Sequence, residues 1–428
     1  MTETELNKEP LIDVPKSTFG IKFIFILFGL SSLLAWNAIL TELNFFNIYV
    51  NKLKPFQSLA FLNFFPNIIL QFILLYKKDL FKIKFQLILG LIASIALLII
   101  IPITIFILKD YETILMVIII ILILIFGLVN ALCNSGFFAF VSSFPLEMII
   151  ALSTGQGFSG IIMNVIKYIV TPIMTVFDES KREMIGAIII FVISALILLV
   201  CLILLLTRLE TEYFKYYINI KKEENNNGNL NDNCDDEDDD EDNGETVAPA
   251  NQQMSFCQIF KVLMDIDILC ALTYIVTFAM FPVAFQEQKL FNLGDYYLNT
   301  VLIIYNSFDT LGRYLVSKIK PTKSLAYISI ISRVVFLVTI PLNYYFCIKD
   351  YNLYFISIFL IINDALLALT NGIGTTLCFG IAPTLVNNEL KGQAGASVSF
   401  FTILGIFLGS VFAFLTKVIL DFIKSKTT

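Results

Sequence analysis

Residues 301–320 read VLIIYNSFDTLGRYLVSKIK. The stretch is long and apolar enough to cross a bilayer, yet Asp309 and Arg313 stand near its middle. A charge at the centre of a membrane costs about 2.5–3.5 kcal/mol on insertion scales. Positions i and i+4 share one face of a helix, so this carboxylate and guanidinium can pair. Asn306 and Ser307 extend the same polar side. Two readings follow: the pair locks two helices together, or it faces a wet pathway and grips polar cargo. The second is preferred, because a buried ion pair is harder to stabilise than an apolar contact of the same size.

The rest of the chain fits a membrane setting. Of 428 residues, 57% are hydrophobic and only 15% charged, and the mean hydropathy is +0.81. Soluble domains carry about 25% charged residues. Apolar runs of about 20 residues are the unit of a membrane crossing. Eleven are expected, at 20–40, 56–76, 85–108, 113–140, 149–176, 186–207, 266–285, 296–317, 324–347, 352–378 and 394–418. Pro145 separates the fourth from the fifth. The expected fold is therefore an all-α membrane protein of eleven transmembrane helices.

Residues 221–254, KKEENNNGNLNDNCDDEDDDEDNGETVAPANQQM, have no apolar period and a dense acidic run. Such a segment cannot bury a core and reads as a disordered linker. It divides the chain into a tail (1–19), a six-helix half (20–207), the linker with its flanks (208–265), a five-helix half (266–418) and a short tail (419–428). Basic residues in the short loops favour a cytoplasmic N-terminus. The linker would then be cytoplasmic and the C-terminus extracellular. The polar N-terminus does not read as a cleavable signal.

Several chemistries are excluded. There is no His, hence no histidine metal site, Ser-His-Asp triad or imidazole relay. The seven cysteines form no CxxC pair. No Walker A motif is present, and the GxGxxG spacing of GQGFSG at 155–160 falls inside an expected membrane span with no strand before it, so no cofactor, metal or nucleic acid is implied and the chain is not expected to be an enzyme.

Further polar residues stand out within the spans. Trp36, the only tryptophan, is followed by Asn37 in GLSSLLAWNAIL. An indole offers a stacking face and an amide both donates and accepts. Asn134 is a lone amide in ALCNSGFFAF, and Asn371 sits among glycines in LTNGIGTTLCFGIAP. Gly155, Gly157, Gly160, Gly312, Gly372, Gly405 and Gly409 read as helix-packing positions. Lys167 and Arg333 read as snorkelling residues, with their heads at the interface.

Taken in order, these stretches resemble the equilibrative nucleoside transporter family. GLSSLLAWN is similar to its first-span Trp-Asn motif, GQGFSG to the fifth-span glycine motif and AMFPVAF, with Pro282, to the seventh-span Phe-Pro element. FDTLGR is similar to the eighth-span Asp-x-x-Gly-Arg signature. SRVVFLVTIP, TNGIGTTL and GQAGASVSFFTILGIFLGS follow the ninth, tenth and eleventh spans. The resemblance implies a major-facilitator-like 6 + 5 bundle with a central cavity. It implies substrate contacts at Trp36, Asp309 and Arg313, and at Asn134, where relatives often carry Gln. Asn37, Asn306, Arg333 and Asn371 are candidate substrate or gate residues. A monomeric plasma-membrane carrier of nucleosides or nucleobases, purines favoured, is expected, facilitative and sodium-independent. The alternatives are a sugar or amino-acid carrier of the same architecture and a proton-coupled nucleoside symporter.

Overall fold

The computed structural model describes residues 15–77 without 16, 80–173, 178–218, 256–281, and 283–427 without 287, 289 and 292. The acidic segment 221–254 and Pro282 lie outside the described residues. What is described is helical, with no strand. The first set of helices comprises α1 (Phe19–Thr41), the short α2 (Leu43–Tyr49), α3 (Pro55–Tyr76), α4 (Ile83–Leu108), α5 (Glu112–Val141), α6 (Leu146–Ile173) and α7 (Glu179–Arg208). The second comprises α8 (Phe256–Met280), α9 (Tyr297–Leu315), α10 (Lys323–Ile331), α11 (Phe336–Ile348), α12 (Leu353–Ile381) and α13 (Lys391–Thr427).

Helix ends follow local chemistry. The Thr18 side chain caps α1 by accepting from the Ile21 N–H, and Asn352 caps α12 by accepting from Tyr354 and Phe355. Pro145 lies in the reversal between α5 and α6. The span expected at 324–347 is not one unbroken helix. A 3-10 turn, Ser332–Val335, separates α10 from α11, a tightening that often marks a strained or functional point in a helix.

Ten helical segments among the described residues are long and apolar enough to cross a membrane. Helix α9 is not one of them. Asn299, Thr300, Asn306, Asp309, Thr310 and Arg313 all lie on it, and this polar side is turned toward α6 and α12. Residues such as Phe106 on α4, Val200 on α7 and Ile328 on α10 are exposed on the outside. In a membrane these contacts are made by lipid.

Within the first set α1 packs on α6, and α3 and α4 on α5. In the second set α9 packs on α12, and α8 on α13. The two sets meet where α6 runs against α9 and where α13 crosses α3 and α5. Glycines permit the α6–α9 approach. A Cβ on Gly157 would collide with Thr310, and one on Gly160 with the Asn306 amide. Gly155 meets α1, Gly312 and Gly372 bring α9 and α12 together, and Gly405 and Gly409 lie against α8.

Candidate functional site

Between the two sets lies a cavity of about 130 Å³. Trp36, Asn134, Asp309 and Arg313 all line it, as do Asn37, Asn306 and Asn371. Seven polar or aromatic positions from four helices thus converge on one space. Arg333 does not line it.

The ion pair is direct. Arg313 Nε donates to Asp309 Oδ2 at 2.7 Å, and both side chains are almost fully buried. The other carboxylate oxygen, Oδ1, accepts from Asn371 Nδ2 at 2.7 Å. The guanidinium then reaches across the seam. Nη1 donates to the Ser153 carbonyl at 3.2 Å, to Ser153 Oγ at 3.0 Å and to Gln156 Oε1 at 3.2 Å, all on α6. Nη2 lies 3.4 Å from the Tyr274 hydroxyl on α8. Arg313 therefore ties the two sets together while forming part of the cavity wall. Such a planar fork suits Arg and not Lys.

Aromatic groups shape the remaining wall. Trp36 packs edge-on against Phe64, with ring centroids 5.3 Å apart at 67°. Phe138 on α5 and Phe379 on α12 stack face to face, centroids 3.5 Å apart at 10°; each comes from a different set and both line the cavity. Toward the other end of α6, Tyr168 stacks on Tyr296 at 5.6 Å and hydrogen-bonds Thr300 on α9. A second cavity of about 230 Å³ lies at that end, lined by residues of both sets.

Amides complete the polar lining. Asn134 is 5% exposed and its Oδ1 has no protein partner. Asn37 Nδ2 donates to Ser159 Oγ at 2.5 Å and so holds α1 to α6. Asn67 and Asn130 also line the cavity, and Asn130 Nδ2 donates to Asn63 Oδ1 at 2.9 Å. The cavity thus offers stacking faces, amides that donate or accept, and one neutralised ion pair.

Two basic residues depart from the expectation of snorkelling. Arg333 is 0% exposed. Its Nη1 donates to the Leu367 carbonyl at 2.9 Å and to Thr370 Oγ1 at 2.7 Å, and Nη2 donates to Thr277. Thr277 Oγ1 donates in turn to Asn371 Oδ1 at 2.8 Å. Arg333 is thus a buried anchor one residue removed from the Asp309 network. Lys167 also turns inward: Nζ donates to both Glu42 oxygens, at 3.1 and 2.9 Å, and to Glu183 at 3.1 Å. Snorkelling is a single-helix argument. It fails where neighbouring helices supply carbonyls or carboxylates at the depth of the charge.

Some site residues are not evident from sequence. Gln156 sits inside the glycine motif, where small-residue packing is the natural reading, yet it contacts Arg313 and its Nε2 donates to Ser32 at 3.0 Å. Tyr274, Tyr305 and Ser399 also line the cavity, and no motif or spacing in the sequence singles them out.

Residues 118–418 match the family model described as nucleoside transporter. The chain is 24% identical over 413 residues to equilibrative nucleotide transporter 7 of Arabidopsis thaliana, covering 93% of this chain and 95% of that one. It is 23% identical over 313 residues to human equilibrative nucleoside transporter 1, covering 68% and 66% respectively. Among solved structures, the proton:xylose symporter XylE of the major facilitator superfamily superposes with a TM-score of 0.64 at 15% identity, covering 93% of this chain and 89% of that one. At that identity the likeness speaks for the fold alone.

Proposed function

The chain belongs to the nucleoside transporter family, and on that premise we propose that it carries nucleosides or nucleobases, purines foremost, across the plasma membrane. It is a multi-pass membrane transporter. In this reading α9 is counted as the eighth of eleven spans. The six-span half (20–207) rocks against the five-span half (266–418) around the cavity, the alternating-access motion of repeat-built carriers. The N-terminus and acidic linker face the cytoplasm, the C-terminus faces outward, and the working unit is a monomer.

One observation carries the reading: Trp36, Asn134 and the Asp309–Arg313 pair, from both halves, line a single cavity. An indole and neighbouring phenyl rings suit a flat heterocycle. Amides suit the donors and acceptors on its edge. The ion pair suits ribose hydroxyls, since hydrogen bonds to ionised groups are roughly twice as strong as neutral ones. Transport is facilitative and independent of sodium.

The test is uptake of radiolabelled adenosine and hypoxanthine in cells lacking their own carriers, at acidic and neutral pH, with and without sodium and a protonophore. Saturable uptake is expected, blocked by unlabelled purine and not by glucose, and indifferent to sodium and protonophore. Collapse with the protonophore would replace facilitation by proton symport. Absence of nucleoside and nucleobase uptake would overturn the substrate assignment.

A further inference from the structure

Opposite the ion pair, α3 and α13 hold a short relay of neutral polar groups. Ser399 Oγ on α13 donates to Gln71 Oε1 on α3 at 3.1 Å. Gln71 Nε2 donates to Asn67 Oδ1, one turn away on the same helix, at 2.8 Å. Asn67 Nδ2 then has no protein partner, although Asn67 is fully buried and lines the cavity. Ser399 lines the cavity too. In this polarity the relay presents an N–H donor at its cavity end.

The same three groups can be satisfied in reverse. A hydroxyl both donates and accepts, and each amide has a donor end and an acceptor end. Half-turns of the terminal torsions of Gln71 and Asn67 exchange oxygen for nitrogen with little change of shape. Asn67 Nδ2 would then donate to Gln71 Oε1, and Gln71 Nε2 to Ser399 Oγ. The Ser399 hydrogen can turn to the helical carbonyl one turn back, as serines within helices do. Both internal hydrogen bonds survive, and Asn67 Oδ1 now faces the cavity as an acceptor.

We propose that Asn67, Gln71 and Ser399 form a reversible amide switch that lets one cavity read purines carrying either a 6-oxo or a 6-amino group. This rests on the nucleoside reading above. A 6-oxo base, as in inosine, accepts from Asn67 Nδ2. A 6-amino base, as in adenosine, donates to Asn67 Oδ1. Asn67 is the residue that meets the base, and Gln71 and Ser399 are positioning residues that set its polarity. Because Ser399 belongs to the second half and Gln71 to the first, the relay is complete only when α13 lies against α3. Parting of the helices there would release the amide and loosen its hold on the base.

The test is competition against radiolabelled adenosine uptake by unlabelled adenosine, inosine and 6-unsubstituted purine riboside. In the wild type, adenosine and inosine should compete within a few-fold of each other. Purine riboside should compete roughly tenfold less well, because it leaves a buried amide unmet. Gln71→Glu in its ionised form, favoured by assaying at pH 8, supplies only acceptors and pins Asn67 with Oδ1 toward the cavity. Inosine should then lose roughly tenfold relative to adenosine, whereas Ser399→Thr, which keeps the hydroxyl, should hold the wild-type ratio. A wild type that separates the two nucleosides by about a hundredfold or more would refute the switch without any variant. A ratio that stays at the wild-type value in folded, surface-expressed Gln71→Glu across pH 6 to 8 would also refute it. Failure of the wild type to take up any nucleoside strikes instead at the carrier reading itself.

Discussion

Replacing Arg313 by Met separates the two roles that the residue combines. The guanidinium is 2.7 Å from Asp309 and both side chains are almost fully buried. Removing it leaves a buried carboxylate with Asn371 as its one remaining side-chain partner among the described residues, and breaking a buried pair in this way costs about 3–5 kcal/mol. The acceptors on Ser153 and Gln156 lose their donor as well, each a loss of about 1–3 kcal/mol where no water replaces it. Arg313→Met should therefore lower the melting temperature in detergent clearly and abolish uptake. The double variant Asp309→Asn/Arg313→Met removes both charges. Replacing a whole buried pair by neutral groups is often neutral for stability, so most of the lost thermal stability should return while uptake stays absent. Fluorescence-detected size-exclusion chromatography after heating measures the first quantity, and radiolabelled uptake normalised to surface expression the second. A double variant as unstable as Arg313→Met would refute the electrostatic argument, and one that transports normally would refute the functional one.

Two other sites give contrasting outcomes. Arg333→Lys keeps the charge but cannot reproduce the forked contacts to Leu367, Thr370 and Thr277; hydrogen bonds to charged groups are worth about 1.5–3 kcal/mol each, so the heated protein should aggregate earlier, and unchanged thermal stability would restore the snorkelling reading. Lys167→Met strands Glu42 and Glu183 without their shared ammonium and should destabilise by about 3–5 kcal/mol, with recovery in Lys167→Met/Glu42→Gln; equal melting of wild type and single variant would contradict the buried cluster.

What the sequence disclosed was mostly local. Asp309 and Arg313 are legible because a one-turn spacing is fixed by helix geometry, and Trp36 because the chain has no other. The apolar runs mark most helices to within a few residues, since each must satisfy its own backbone in lipid. The partners of Lys167 are not legible: Glu42 lies 125 positions away and is aligned with it only once α1 packs on α6. The 3-10 turn at Ser332–Val335 is likewise hidden, because nothing in SRVV forbids an α-helix. Gln156 and the Ser399–Gln71–Asn67 relay exist only where the halves touch. No pattern within one span announces a hydrogen bond completed by another.

Among the described residues the cavity wall carries one negative and one positive charge, already joined to each other. An uncharged solute therefore meets local dipoles and no net field. A phosphate ester would enter facing a guanidinium already engaged by Asp309, Ser153, Gln156 and Tyr274, with no second cation among the described residues lining the cavity to balance its charge. Burying an unbalanced charge is expensive. Neutrality of the wall would thus act as a filter in its own right, favouring an uncharged solute over its phosphate ester.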